Sequence, residues 1–71
     1  MNANEIQKND TITVRRSNER KSREGLVLSI RTESFAGFEF VVALVAFDKT
    51  TENVNLSNAN FKLLWRMEEV A

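Results

Sequence analysis

Residues 38–48, FEFVVALVAFD, constrain the fold of this chain more than any other stretch. Every side chain from Phe40 to Phe47 is apolar, so both faces of the segment need cover, whereas a half-solvated strand alternates. A helix competes for this run, but Val41, Val42 and Val45 beside two phenylalanines favour an extended strand. Phe40, Val42, Leu44 and Ala46 then share one face, and Val41, Ala43, Val45 and Phe47 share the other. One face fills a core. The other needs the terminal segments or a second subunit, and Val41, Val45 and Phe47 are the residues expected to make that oligomer contact.

Shorter period-two patterns lie on either side. DTITVRR (10–16) sets Ile12 and Val14 against Thr11, Thr13 and Arg15, and GLVLSIRT (25–32) sets Leu26, Leu28 and Ile30 against Ser29 and Arg31. VNLS (54–57) and FKLLW (61–65) repeat the pattern, with Val54 and Leu56 inward and Phe61, Leu63 and Trp65 together on one side, Trp65 as a core or interface anchor. TESFAG, KTTEN and NAN read as the intervening turns, Gly37 supplying a positive φ. NANEIQKN allows one helical turn capped by Asn2 or Asn4, with Ile6 tucked onto the core. The last stretch, FKLLWRMEEV, also admits a helical reading, with Met67, Glu68 and Glu69 as a short helical tail.

Five short strands joined by tight turns leave no room for the crossovers of a parallel sheet. The expectation is therefore all-β: a small, five-stranded, strongly bent antiparallel barrel over residues 10–66, flanked by residues 1–9 and 67–71. A 71-residue chain sits near the lower limit for a self-sufficient core. It has no Cys and no His, so disulfides and the usual zinc and haem ligands are excluded and no cofactor is expected. Tight packing or homo-oligomerisation remains as the means of stabilisation. The opening residues lack an apolar signal-like core and no apolar run approaches the ~20 residues of a membrane helix. A cytoplasmic protein without membrane contact is the expectation.

Formal charge is zero but unevenly placed. Residues 1–31 carry seven bases and four acids; residues 32–71 carry three bases and six acids. The basic excess concentrates in VRRSNERKSREG (14–25), which holds Arg15, Arg16, Arg20, Lys21 and Arg23. Such a loop between two strands is a candidate contact for phosphate or carboxylate groups, because arginine forms bidentate bonds to both. Arg31 and Phe35, at the next strand and turn, extend the candidate partner-binding or nucleic-acid-binding set. No aromatic lies between residues 1 and 34, so base stacking within the loop is not available.

The order of these features resembles the SH3-like small barrels of the KOW and Tudor groups. The resemblance is carried by NDTITV, by REGLVLSI with its leading glycine, by FVVALVAFD, and by VNLSNANFKLL as the last two strands. The basic first loop and the Asn-rich segment near the end are also similar to the SH3-like subunit of photosystem I that docks ferredoxin. The Sm-like barrel is the alternative: FDKTTENVNLSNA (47–59) resembles the Sm pattern, which would place Asp48 and Asn53 where that family binds RNA bases. A likeness to the SH3-like type II dihydrofolate reductases stops at Val54, since Asn55, Leu56 and Ser57 replace their Gln-Ile-Tyr.

Catalysis finds little to work with. There is no His, Cys or Tyr, the glycines stand alone, and only Glu68 and Glu69 adjoin among the acids. The expected function is therefore a non-enzymatic binding or assembly module. Its basic loop would engage a nucleic acid or an acidic protein, or the chain would act as a homo-oligomeric structural subunit.

Overall fold

The computed structural model describes residues 2–67. They form an all-β fold with one antiparallel sheet of five strands and a single turn of 3₁₀ helix, Ala3–Glu5. The strands are β1 Asp10–Arg15, β2 Arg23–Phe35, β3 Phe38–Ala46, β4 Thr51–Asn55 and β5 Asn60–Arg66. Their order across the sheet is β4-β3-β2-β1-β5. Residues 40–46 are strand, the reading favoured over helix, residues 61–66 are strand as well, and residues 68–71, including the helical tail expected around Glu68 and Glu69, lie outside the described residues.

The sheet is bent but open. Val54 on β4 and Phe61 and Leu63 on β5 pack on the same apolar cluster, although four inter-strand steps would separate them by about 19 Å in a flat sheet. The barrel nevertheless does not close, because β5 runs back along β1 and forms no ladder with β4. Two irregularities help the curvature. The β2–β3 register shifts at Leu28, and the β1–β5 register shifts at Leu64; an extra residue of this kind bends a strand and increases its twist.

The core consists of Ile12 and Val14 from β1, Val27 from β2, Val41, Ala43 and Val45 from β3, Val54 from β4, and Leu56 and Ile6. Ile6 docks as its sequence position suggested, although Asn2 caps the 3₁₀ turn without a side-chain hydrogen bond. Val41 and Val45 therefore face inward, and Val45 is 0 % exposed. This corrects their assignment to an exposed oligomer contact: Ala43 pairs with Val54 on the core side, and strand parity carries Val41 and Val45 with it. Phe47, the third member of that set, is partly buried against the core. On the opposite face, Arg31 reaches from β2 to Asn53 on β4 (3.0 Å). Its side chain thus crosses β3 on the face that carries Val42 and Leu44.

The TESFAG turn is much shorter than its composition suggests. Strand pairing continues to Phe35↔Phe38, leaving only Ala36 and Gly37 in the loop. Their φ values of +51° and +83° describe a type I′ hairpin, whose twist matches that of the strands. β1 pairs with β2 only as far as Leu26, and β4 with β3 only from Val42. The outer part of the β2–β3 hairpin is consequently a two-stranded ribbon carrying Phe35 and Phe38 at its tip, 75 % and 68 % exposed.

Candidate functional site

Two of the five bases in the loop between β1 and β2, Arg16 and Arg23, are paired with the protein's own acids. Glu52 on β4 accepts from Arg16 Nη1 (2.8 Å) and from Arg23 Nη1 (2.9 Å). Arg16 also donates through Nη2 to the Asn53 carbonyl (3.1 Å), and its backbone N–H donates to Glu19 Oε1 (3.0 Å). Arg23 Nε lies 3.0 Å from Glu19 Oε2, an ion-pair contact without hydrogen-bond geometry. The Arg23 guanidinium also sits 4.2 Å from the Phe47 ring centroid, within range of a cation–π contact. Arg23 foremost, and then Arg16, hold the Glu52 carboxyl down from its ordinary 4.5 to about 2.

The other expected binding residues separate. Arg15 makes one long contact, Nη1 to the Glu19 carbonyl at 3.4 Å. Arg31 is engaged by Glu33 Oε1 (2.7 Å) and by Asn53. Phe35 stands at the ribbon tip, nine residues along β2 from Leu26, or about 30 Å at strand rise. Arg20 and Lys21 are exposed and make no ion pair among the described residues. The seven residues of the proposed anion site thus do not converge; two free cations remain at the loop apex. Asn53, placed at an RNA-binding position by the Sm resemblance, is tied through its side chain to Arg31 and through its carbonyl to Arg16.

Two features escaped the sequence reading. Asp10 is 0 % exposed, yet both its carboxylate oxygens accept hydrogen bonds. Arg66 donates to it from Nε (2.8 Å) and Nη2 (3.0 Å), and the Gln7 backbone N–H donates to Oδ2 (2.8 Å). These bonds hold the Asp10 carboxyl below its ordinary range; Arg66 contributes most and burial opposes it. Arg66 continues to the Glu5 carbonyl (2.8 Å), so one guanidinium clamps the N-terminal turn, β1 and β5. The signal for this clamp was absent, because its partners stand 56 residues apart.

The second feature is a groove on the outer face of the sheet. Trp65, Thr11, Leu26 and Ala46 lie side by side on adjacent strands. Trp65 is 53 % exposed and Met67 and Leu26 are also exposed. They line a shallow groove with Phe47, and Glu24 and Asp48 stand in its wall. Alternation put Trp65 on one side with Phe61 and Leu63, as a core or interface anchor, but the register shift at Leu64 turns it onto the outer face. Period-two counting has no access to a bulge.

Among the described residues no helix is long and apolar enough to cross a membrane, and no group of three or more acids could hold a metal ion. The chain matches no family model, no curated protein and no solved structure.

Proposed function

We propose that the chain is a non-catalytic assembly module that works as a homo-oligomer through the outer face of its sheet. The observation that carries this reading is where the aromatics lie. None of the five phenylalanines or the single tryptophan belongs to the fully buried core, which is built of Val, Ile, Ala and Leu. Aromatic side chains bring the largest apolar area per residue and are enriched at interfaces. A small chain that leaves Phe35, Phe38 and Trp65 exposed places that area where a second copy covers it. The perturbed acids support the non-enzymatic reading, since Glu52 and Asp10 serve as structural ion-pair partners of arginines. An SH3-like or Sm-like relationship is compatible with the strand order and with this role.

Trp65, the only tryptophan, reports on the assembly directly. Light scattering is expected to give a mass above that of one chain at high micromolar concentration, and Trp65 emission is expected to shift to the red on dilution. A monomeric mass at high concentration, with emission independent of dilution, refutes the proposal. Nucleic-acid binding through Arg20 and Lys21 is the competing outcome. It would appear as a complex with a short mixed-sequence RNA or DNA that weakens steeply with salt.

A further inference from the structure

The two free cations of the basic loop and the groove around Trp65 have complementary charge. Glu24 and Asp48, in the groove wall, make no ion pair among the described residues. Glu24 and Asp48 also line the adjoining recess, where Arg23 is already paired with Glu19 and Glu52 and Lys49 makes no ion pair among the described residues. Among the residues that line the groove itself, Glu24 and Asp48 are the only charges and most of the rest are apolar. Arg20 and Lys21 stand only a few residues before Glu24, so loop and groove open at the same end of the sheet. Within one molecule they do not pair.

We infer that residues 16–22 of one copy dock on the groove of a second copy, with Arg20 and Lys21 set against Glu24 and Asp48, over Trp65. Neighbouring placement of a knob and its complementary groove suits a twofold axis, which satisfies both contacts at once and closes the assembly as a dimer. An arginine over an exposed indole adds a cation–π contact, strongest with tryptophan. The inference rests on the assembly reading and specifies its surface. The basic stretch then has an anionic partner in the chain's own acidic wall.

A charge-swap experiment tests it. The variants Arg20→Glu/Lys21→Glu and Glu24→Lys/Asp48→Lys each confront like charges in a homodimer. Each is expected to weaken self-association by about ten-fold or more, read by light scattering and Trp65 emission. An equimolar mixture of the two restores opposite charges in both contacts and is expected to recover the dimer. All four side chains are exposed, so urea midpoints measured on the dilute proteins should match the parent. Two outcomes overturn the inference while leaving assembly standing: undiminished association of either variant, or no recovery on mixing of two folded variants. A parent protein that is monomeric at high micromolar concentration removes the assembly reading itself.

Discussion

Gly25→Ala sets two physical effects against each other. Gly25 is buried in β2, paired with Ile12 of β1. On strand propensity alone, replacing a mid-strand glycine by alanine should stabilise by about 0.5–1 kcal/mol, because glycine loses more backbone freedom on folding. Packing opposes this. A Cβ at position 25 would lie 2.4 Å from Val45 Cγ1, 2.9 Å from Phe47 Cδ1 and 3.1 Å from the Ala46 carbonyl oxygen. Val45 is fully buried and cannot swing away, and the carbonyl belongs to the neighbouring strand. Forcing a methyl into such a site costs about 1–3 kcal/mol, so packing wins with a net loss of about 1–2 kcal/mol. For a domain of this size that is a fall in Tm of about 4–16 °C. Urea unfolding followed by Trp65 fluorescence measures it, at one fixed protein concentration because association contributes to apparent stability. The cause is checked in the Val45→Ala background, where the closest contact is gone: there Gly25→Ala should cost clearly less than in the parent. A neutral or stabilising Gly25→Ala would refute the packing argument.

At the hairpin tip, Ala36 holds φ +51°, a left-handed conformation that alanine disfavours; Ala36→Asn, giving Asn-Gly at a type I′ turn, should raise stability by about 0.5–1 kcal/mol in the same urea assay. The clamp and the loop ion pairs predict an acid limb. Asp10 and Glu52 are both held below their unfolded values. The Glu52 contribution is therefore complete above about pH 4.5 and is lost as the pH falls toward about 2, and the Asp10 contribution is likewise lost on acidification. Urea midpoints across that range should decline, and Glu52→Gln should flatten the decline. Asp10→Asn removes the charge and one of the two oxygens that accept three part-buried hydrogen bonds and should cost about 2 kcal/mol, tempered by the solvent-facing side of Arg66; a loss below ~0.5 kcal/mol would show that the clamp does not hold the N-terminal turn. Arg23→Gln should lower the urea midpoint, whereas Arg20→Gln/Lys21→Gln should leave it unchanged; equal effects would contradict the division of the loop into tied and free cations.

Much of the fold was legible in local pattern. Period-two alternation placed Ile12, Val14 and Val54 on strands, Gly37 marked the hairpin, and Ile6 was matched to the core, because each depends only on residues nearby in the chain; on β2, however, Val27 is buried while Leu26 and Leu28, expected to share the apolar face, are exposed. Strand parity was where the reading failed. FVVALVAF is apolar on both faces, so nothing within it says which face turns inward; pairing of Ala43 with Val54 decided that, and it put Val41 and Val45 inside. Trp65 was misplaced for a related reason, since one extra residue at Leu64 reverses the alternation behind it.

The sequence by itself determined the class: an antiparallel all-β chain without thiol or imidazole chemistry and with its positive charge gathered in one loop. Tertiary structure decided where that charge is paired. Glu52 reaches Arg16 and Arg23 from 36 and 29 residues away, and only a folded sheet brings β4 within side-chain reach of the start of β2, two strands over. Once those arginines are neutralised, Arg20 and Lys21 are what the loop still offers, beside a groove that sequence alone could not display. Charge composition is additive along a chain, but free charge depends on which partners folding brings within reach.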